Sequence, residues 1–428
     1  MKKINVIGGG LAGSEAAYFL ANQGYKINLY DQKPKLGPAF HSTNFGELVC
    51  SNSLKSIKKD NACGLLKAEI AEMGSLIMQA AEVSKVPSGQ DLAVDREVFS
   101  KFITDKIKDN PNITIISKIV DSLDENDINI VCTGPLTDSS LMNHLKTRLG
   151  EDVLSFYDAA APLVELSSLD TSKMYMKSRY DKRSGKYLNI PLDRDQYDNF
   201  VRELTGAERI ILHDFEHFEG CLPVEVMAKR GLNTLRFGPL KPRGLETETI
   251  KPFAVVQLRQ DNIAGTLYGL VGFQTNLKYG EQKRVFSTLP GMENAKFARY
   301  GLMHSNAYLC APKLLNRDLS LKKIPDTFVA GQFAGVEGYV ESAASGLLAA
   351  YYVLQRLEGA KFKSIPLYTM LGSLINYLVM SPAKHFSPIN AIYGILQLPV
   401  RQDKITIYNN SMEAIQQWRD SILLKPLP

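Results

Sequence analysis

The sequence of 428 residues is long enough for two or three domains. Hydrophobic residues make up 45% and charged residues 22%, a globular balance with apolar mass for sizeable cores. The formal charge of +5 is compatible with an anionic partner without requiring one. No run of about eighteen apolar residues occurs, which excludes a membrane span. The opening MKKINVIGGG imitates a signal peptide, but its glycines interrupt the apolar stretch and exclude one.

The first predicted elements form a strand, a glycine turn, a helix and a second strand. Residues 3–7 predict a short buried strand, and Gly8, Gly10 and Gly13 follow it in G-x-G-x-x-G register. The second strand ends at Asp31, whose acid group suits a ribose hydroxyl. This order predicts a dinucleotide site, although the motif alone leaves FAD and NAD open. The predicted contacts are Gly8, Gly9, Gly10, Leu11, Ala12, Gly13 and Asp31.

Two later stretches extend this site. Residues 127–135 predict a strand that runs into Gly134, and residues 326–354 predict a strand, a glycine-rich turn and a helix rich in small residues. The start of that helix offers backbone N–H groups and a positive dipole end. A strand–glycine–helix unit at each end of the chain is typical of FAD proteins of the glutathione-reductase type. The further predicted cofactor contacts are Gly134, Gly331, Gln332 and Gly335.

The domain organisation predicted from this layout is discontinuous. Residues 1–150 and 310–428 form an α/β, Rossmann-type FAD-binding domain, and residues 151–309 form an inserted α+β domain. The strand-like pieces of the inserted part are TLRFGPL, AVVQLRQ and TLYGLVGF. Helical segments and a Pro-punctuated loop follow Pro366.

Five cysteines occur without the spacing of a disulfide framework, which indicates a reduced, cytoplasmic compartment. Cys132 in an apolar strand and Cys63 at a helix start are predicted to be structural, and Cys310 gives no signal. Cys50, in GELVCSNSLKS, is open to three interpretations: a disulfide, a core filler or a reactive group. Cys221 is the second candidate for a reactive thiol.

The surroundings of Cys221 offer two kinds of chemistry. Lys229 and Arg230 follow it closely, and nearby cations favour the nucleophilic thiolate. His213, His217 and Cys221 stand four residues apart, as zinc ligands on a helix would. Gly220 and Pro223 end any such helix, and no fourth ligand is evident, so the prediction is no metal site. The other basic residues are spread along the chain and suit either a solvated surface or a face for folded RNA.

Several long blocks resemble the bacterial folate- and FAD-dependent tRNA uridine-C5 methyltransferases (the TrmFO or Gid type), over nearly the whole chain. The blocks are VIGGGLAGSEAA, ELVCSNSL, LAVDREVF, FYDAAAP, SRYDK, FEGCLPVEVMAKRG, RFGPLKP, QLRQDN, GTLYGLVGFQT, GEQKRVF and GQFAGVEGYVESAASG. The resemblance implies 5-methyluridine formation in structured RNA, with the methylene from 5,10-methylenetetrahydrofolate, electrons from reduced FAD and NAD(P)H as reductant.

The resemblance also implies roles for single residues. Cys221 is then the nucleophile that adds to uracil C6, and Cys50 lies by the flavin and takes the C5 proton. Hydride from reduced flavin completes the methyl group. Lys229 and Arg230 are expected to contact RNA, and His304 and Tyr339 are expected to line the flavin and folate pocket. A base in a structured loop must be unstacked to reach such a site.

Two departures from the family pattern concern the target. The family reads YLNCP where Ile190 stands here, and MHRNTF where Ser305 and Ala307 stand. The predicted substrate is the tRNA T-loop, and the alternative is a 23S rRNA uridine. Two other hypotheses are a GidA-type wobble-uridine modification protein, which is longer and needs a GTPase, and a non-catalytic FAD-binding RNA-binding protein. No membrane and no obligate protein partner are predicted.

Overall fold

The computed structural model describes residues 2–32, 42–150, 153–159, 161–179, 187–210, 222–301, 303–398, 400, 402–423 and 427, and of residues 153–159, 303–306 and 385 the backbone alone. The strands are β1 (Ile4–Ile7), β2 (Ile27–Asp31), β3 (Ser53–Ser56), β4 (Lys85–Val86), β5 (Asp91–Val94), β6 (Ile113–Ser117), β7 (Ile128–Val131), β8 (Val153–Ala159), β9 (Leu163–Glu165), β10 (Tyr175–Met176), β11 (Tyr187–Leu192), β12 (Ala254–Gln260), β13 (Leu267–Leu270), β14 (Phe297–Arg299), β15 (Met303–Leu309) and β16 (Thr327–Val329). The α-helices are α1 (Leu11–Asn22), α2 (Ala62–Glu72), α3 (Leu76–Val83), α4 (Arg96–Lys108), α5 (Ser139–Leu149), α6 (Arg194–Gly206), α7 (Val224–Lys229), α8 (Thr234–Phe237), α9 (Tyr279–Phe286), α10 (Ala311–Leu314), α11 (Tyr339–Leu357), α12 (Met370–Met380) and α13 (Lys404–Asp420).

A parallel sheet in the order β16-β7-β1-β2-β6 forms the centre of the nucleotide-binding part. Strands β1 and β7 are buried at every position, as parallel strands covered on both faces are. Asn5 lies in register between Asn28 and Asn129, and the three amides hydrogen-bond across the strands at 3.0 and 3.2 Å. Buried amides thus satisfy one another. The predicted α/β Rossmann fold is confirmed.

Small residues let the two long helices of this part approach each other and the sheet. A Cβ at Gly13 would lie 1.8 Å from the carbonyl oxygen of Gly8, so only glycine fits where α1 crosses the turn. A Cβ at Gly346 on α11 would lie 2.2 Å from the carbonyl oxygen of Ala12 on α1. The pair of helices is therefore packed backbone to backbone, and this contact fixes where both helices begin relative to the sheet.

A second sheet, antiparallel and in the order β10-β11-β12-β13-β9-β14, belongs to the middle of the chain. One hydrophobic cluster takes its buried residues from Ile4–Leu149 and Tyr308–Ile422, and the other takes them from Val164–Ala295. The division into a discontinuous domain and an inserted one, with limits at residues 150/151 and 309/310, stays a prediction.

The strand predictions for the middle part have different outcomes. AVVQLRQ is strand β12, and TLYGLVGF contains strand β13. The prediction for TLRFGPL was wrong, because its first residues form the short helix α8. Leu235 is buried but Phe237, two positions further on, is 72% exposed, whereas a strand would place both side chains on the same face.

Two strands connect the parts. β8 leaves the first part, β15 returns to it, and the two pair antiparallel over their full length, from Val153 with Leu309 to Ala159 with Met303. The outgoing and returning chain thus lie side by side. β15 also contacts the two 3₁₀ helices at Gly134–Leu136 and Gln332–Ala334.

Two buried glutamates join helices of the first part. Glu15 on α1 accepts the backbone N–H groups of Leu76 and Ile77 at the start of α3, at 2.9 and 3.0 Å. Glu69 on α2 accepts those of Met370 and Leu371 at the start of α12, at 2.7 and 2.8 Å. Burial raises the pKa of each carboxyl to about 7, against the lowering effect of these hydrogen bonds.

Candidate functional site

A pocket lies at the carboxyl ends of the parallel strands β1, β2, β7 and β16, the edge at which doubly wound sheets bind nucleotides. It holds about 1100 Å³ of space that protein atoms do not fill, part of it open to solvent. The residues that line it are 7–12, 30–32, 47, 49, 118–120, 132–136, 138, 141, 331, 332, 339 and 342.

The glycine turn after β1 forms the floor of this pocket. Gly8 has a φ of +104°, and a Cβ there would lie 2.5 Å from the carbonyl oxygen of Cys132. The N–H of Gly9 donates to a carboxylate oxygen of Asp31 at 2.7 Å, which ties the turn to the end of β2. At Gly10, by contrast, a Cβ would meet no protein atom within 4 Å. The turn is closed toward the protein at Gly8 and Gly9 and open toward the pocket at Gly10.

Helix α1 begins at Leu11, directly behind this opening. Its N-cap, Gly10, has no side chain, and the first turn carries no acidic residue. The first N–H groups and the positive dipole end of this 12-residue helix are thus offered to the pocket. This combination suits a pyrophosphate, as the glycine motif predicts.

The two ends of the pocket differ. Tyr30, Asp31 and Gln32 lie at one end with residues 118–120, where a ribose and a base would fit beside the acid. Gly331, Gln332 and Tyr339 lie at the other end, beside the start of α11. The residues present therefore fit an extended dinucleotide such as FAD: a turn open at Gly10, a helix start, and an acid held in place.

The loop that carries Cys50 borders the second end, because Glu47 and Val49 line the pocket there. Tyr339, the first residue of α11, accepts the N–H of Cys50 at 2.7 Å and that of Ser51 at 3.1 Å through its phenolic oxygen. Burial, and next the charge of an ionised Cys50, raise the pKa of this phenol above its usual value. Tyr339 is therefore neutral at physiological pH and positions the loop.

Two arginines hold the same loop from the other side. Arg96 donates to the carbonyl oxygens of Leu48 at 2.6 Å and Cys50 at 3.0 Å. Arg299 donates to those of Val49 at 3.3 Å and Cys50 at 2.9 Å. The carbonyl of Cys50 thus accepts from two guanidinium groups, one on α4 and one at the end of β14.

Asn52 ties this loop to the second sheet. Its amide donates to the carbonyl oxygens of Val94, Gln260 and Asp261, at 3.0 to 3.3 Å, and its oxygen accepts from Arg259 at 3.0 Å. The residue is 1% exposed. The geometry of the Cys50 loop therefore depends on contacts with both parts of the chain.

The remaining predicted residues are placed as follows. Gly8, Gly9, Gly10, Leu11, Ala12, Asp31, Gly134, Gly331, Gln332 and Tyr339 line the pocket, whereas Gly13 packs against Gly8 and Gly335 packs against Phe386. Lys229 and Arg230 lie exposed at the end of α7, away from this lining. The backbone of His304 lies in β15, opposite Asp158. Cys221, His213 and His217 lie outside the described residues.

Helix α7 is anchored just after the position of Cys221. Glu225 accepts the N–H of Asn276 at 2.8 Å and the hydroxyl of Thr275 at 2.9 Å, and burial raises the pKa of its carboxyl. The carboxylate is fully buried and holds the start of α7 against the segment that contains Thr275 and Asn276. The start of α7 is therefore fixed, while its C-terminal end, at Lys229, faces solvent.

Other site types find no support in the described part of the chain. No three His, Cys, Asp or Glu side chains there are grouped as metal ligands, and none of its helices has the length and apolarity needed to cross a bilayer. Cys50, Cys63, Cys132 and Cys310 form no disulfide with one another. Cys132 is buried, which raises the pKa of its thiol and makes it unreactive.

Sequence reasoning missed several residues of this site. Lys118, Ile119 and Val120 follow β6, so the rule that ligands bind at the carboxyl ends of strands would have found them once β6 was placed. Arg96 and Arg299 carry no local signal. They are 203 positions apart in the sequence and meet only because the second sheet packs against the Cys50 loop.

Comparison with known proteins gives one consistent result. The model of the family "glucose inhibited division protein A" matches residues 3–361. The methylenetetrahydrofolate--tRNA-(uracil-5-)-methyltransferase TrmFO of Ligilactobacillus salivarius is 52% identical over 408 residues, which is 94% of this chain and 93% of that protein. The protein of the same name from an Exiguobacterium species is 48% identical over 433 residues, 98% and 99% of the two chains. The structure of Aquifex aeolicus GidA has a TM-score of 0.73 at 15% identity, over 98% of this chain and 76% of that one, and shows the same fold.

Proposed function

This chain belongs to the glucose inhibited division protein A family and, within it, to the folate-dependent tRNA uracil-5-methyltransferases, and from that membership we propose its reaction. It transfers the methylene group of 5,10-methylenetetrahydrofolate to C5 of a uracil in tRNA and forms 5-methyluridine. The observation that carries this proposal is the identity of about half of all residues with enzymes so named, over nearly the full length of both chains.

The cofactor is FAD, and the pocket at the edge of the parallel sheet is where we place it. The amides at the start of α1 and the open position at Gly10 would receive the pyrophosphate, and Asp31 would receive the ribose. FAD, when bound and reduced by NAD(P)H, supplies the hydride that completes the methyl group.

We assign two roles to two cysteines: Cys221 is the nucleophile and Cys50 is the base. The thiolate of Cys221 adds to C6 of uracil, which turns C5 into a nucleophile able to attack the methylene carbon of the folate. The bonds from this carbon to the folate nitrogens break, so that tetrahydrofolate is released. Cys50 takes the proton from C5, the bond from Cys221 to C6 breaks, and a hydride adds to the resulting exocyclic methylene to give the methyl group. The placement of the Cys50 loop at the end of the pocket supports the second role.

For RNA binding we propose Lys229 and Arg230, which are exposed at the end of the helix that follows Cys221. Phosphate contacts from this helix would hold the RNA next to the nucleophile. We propose that the enzyme acts without an obligate protein partner. His304 is proposed for the folate pocket, since β15 runs beside the two 3₁₀ helices that line the site. A cytoplasmic location stays a prediction from the cysteines.

To test this proposal, the purified protein is incubated with methylenetetrahydrofolate and NADPH. Unmodified tRNA and unmodified 23S rRNA are supplied in parallel reactions, and 5-methyluridine is quantified by mass spectrometry. Methylation of tRNA alone supports the proposal. Methylation of rRNA alone would keep the chemistry and make Ser305 and Ile190 part of a changed specificity. No methylation of either RNA by the FAD-loaded protein would leave the non-catalytic RNA-binding alternative.

Three single substitutions test the assignment of the thiols. Cys221→Ala and Cys50→Ala are each expected to lower methylation at least a hundredfold while FAD stays bound. Cys63→Ala is the matched control, because Cys63 is a half-buried thiol on α2 that is not among the residues lining the pocket. An equal loss of activity in all three variants would mean that the losses come from the fold and not from the reaction.

A further inference from the structure

The carbonyl oxygen of Cys50 accepts hydrogen bonds from both Arg96 and Arg299, at 3.0 and 2.9 Å. Bringing two guanidinium groups to one carbonyl is unfavourable unless negative charge lies nearby, because the two cations repel each other. A backbone carbonyl has two lone pairs and can accept from both donors, but it carries no net charge to offset the two cations. A negative charge close to the two guanidinium groups would therefore stabilise this arrangement.

One carboxylate, that of Asp261, is shared by the two cations. Asp261 pairs with the Nε of Arg96 at 3.1 Å and is itself buried. Within the described side chains Arg299 forms no ion pair with a carboxylate, and its Nε is buried without a hydrogen-bond partner. The two guanidinium groups and the shared carboxylate of Asp261 leave one net positive charge beside Cys50, which favours a neighbouring group that can become negative.

The thiol of Cys50 is that group. Burial, and next the charge of Arg96, lower the pKa of Arg299 to about 10, while the charge of Asp261 and, after it, that of an ionised Cys50 act to raise it. Arg299 thus stays a cation at neutral pH. The interaction between two charges is mutual, so Arg299 stabilises the thiolate of Cys50 as much as the thiolate stabilises Arg299.

Among the described side chains, the other charged and titratable groups around the loop, besides Asp261, are Arg259, Asp95, Tyr339 and Glu47. Arg259 reaches Asn52 and not Cys50, and Asp95 is engaged by the amides at the start of α4 and by Ile263. Tyr339 faces the loop as a neutral phenol, since its pKa is raised. Glu47 lies three positions before Cys50 in the same loop and lines the pocket.

We propose that Arg299, backed by Arg96, is the positioning residue that keeps the thiol of Cys50 ionised at neutral pH. Its use in the reaction rests on the proposed function: an ionised Cys50 can accept the C5 proton of uracil directly, whereas a neutral thiol cannot. Arg299 also lies at the end of β14 in the second sheet, while Cys50 belongs to the first part of the chain. The ionisation of Cys50 is then coupled to the packing of the two parts.

The test measures the alkylation rate of Cys50 in the FAD-loaded protein, by iodoacetamide and peptide mass spectrometry, from pH 5.5 to 9.5. The rate follows the thiolate fraction, and an ordinary cysteine gives a midpoint near ~8.5. We expect a midpoint at least one pH unit below that in the wild type. Arg299→Gln, which shortens the side chain and removes the charge, should move the midpoint up by about one unit and slow the reaction at pH 7 about tenfold. Arg299→Lys, which keeps the charge, should retain most of the wild-type midpoint.

Two controls separate charge from structure. Arg259→Gln removes another arginine that holds the same loop, through Asn52, and should leave the midpoint of Cys50 unchanged. The half-buried Cys63, read in the same digests, should keep its own profile in every variant. A wild-type midpoint near 8.5, or equal midpoints in the wild type and Arg299→Gln, would overturn the inference. The wild-type profile decides this even if Arg299→Gln does not fold.

The result is independent of RNA and folate, so it separates the inference from the proposed function. A low midpoint that depends on Arg299, in a protein that methylates no RNA, would support the inference and reject the function. Methylation of tRNA by a protein whose Cys50 has an alkylation midpoint near ~8.5 would support the function and reject the inference. In the active enzyme the acidic limb of the kcat profile should move upward in Arg299→Gln by the same amount as the alkylation midpoint.

Discussion

The phenolic oxygen of Tyr339 accepts the backbone N–H of Cys50 at 2.7 Å, which joins the start of α11 to the loop that carries a proposed catalytic thiol. The same oxygen accepts the N–H of Ser51. One buried hydroxyl therefore satisfies two backbone donors and fixes the path of the loop at the end of the pocket.

Removing this hydroxyl should loosen the loop. In Tyr339→Phe two N–H groups lose their acceptor, which should cost about 1–3 kcal/mol of the free energy of unfolding. We expect tRNA methylation to fall about tenfold or more, since a small displacement of a reacting group is costly. Tyr352→Phe is the control, because Tyr352 lies on the same helix and its hydroxyl accepts the N–H of Ile365, remote from the pocket. A similar loss of activity in the control would contradict the positioning role.

A substitution at Gly10 can distinguish an effect on FAD affinity from an effect on the stability of the fold. Its φ of −73° suits any residue, and a Cβ there meets no protein atom within 4 Å. Gly10→Ala should leave the apoprotein as stable as before, or more stable by up to about 1 kcal/mol, because the unfolded chain loses freedom. FAD affinity should fall tenfold or more, since the methyl group occupies the space of the pyrophosphate. Fluorescence titration and urea unfolding measure the two quantities.

Gly280→Ala gives the matched control, since a Cβ there also meets no protein atom within 4 Å and Gly280 lies on α9, outside the pocket lining. It should leave FAD affinity unchanged. Unchanged affinity in Gly10→Ala as well would show that the dinucleotide does not approach the turn closely.

Asp31 holds the turn and, when FAD is bound, is expected to hold the ribose. Asparagine has one carbonyl oxygen where aspartate has two, so Asp31→Asn cannot accept from both the N–H of Gly9 and a ribose hydroxyl. We expect FAD to bind about tenfold more weakly. Asp127→Asn is the control, because Asp127 accepts the N–H of Lys3 at 3.0 Å at the other end of β1. If FAD binding were weakened equally in both variants, the effect would come from the sheet and not from the pocket.

The buried glutamates predict how stability depends on pH. The pKa of Glu15 and of Glu69 is about 7 in the folded protein, above the ordinary value of 4.5. Between pH 4.5 and 7 the folded protein therefore holds protons that the unfolded chain has released. These two groups stabilise the fold fully below pH 4.5 and lose that contribution as the pH rises through 7.

Urea unfolding of the apoprotein across this window measures the effect. Glu15→Gln should flatten the fall of the free energy of unfolding between pH 4.5 and 7, and it should also lower stability, because the amide cannot accept with both ends. Glu413→Gln, an exposed position on α13, should leave the slope as it is. The wild-type slope sums every group that titrates in this window, so the difference between the wild type and Glu15→Gln is the measure; equal slopes in the two would contradict the raised pKa of Glu15.

The nucleotide-binding part was predictable from sequence because its signals are local. A buried strand, the glycines at residues 8, 10 and 13 and the acid at Asp31 follow one another within thirty-one residues, and each has a steric or electrostatic reason to stand where it does. The pocket lining includes most of the residues that these signals pointed to. The second strand–glycine–helix unit, at residues 326–354, was predictable for the same reason.

The surroundings of Cys50 were not predictable in this way. Arg96 and Arg299 come from elements far apart in sequence, and each looks like an ordinary surface or packing residue in its own stretch. The resemblance to a family pointed to the thiol and to Tyr339 as a pocket residue, but not to the two arginines. The error at TLRFGPL has the same origin: Leu235 and Phe237 differ in burial because of tertiary contacts that alternation does not encode.

The pairing of β8 with β15 has a consequence for protein engineering. Because Ala159 lies opposite Met303, the two ends of the middle segment are neighbours, and a short linker could join them. The five strands of the parallel sheet all come from outside that segment. A shortened chain that fuses the first part directly to β15 would therefore retain every strand and both helices of the nucleotide pocket, and it would serve as a minimal flavin carrier into which other substrate-recognising modules could be spliced.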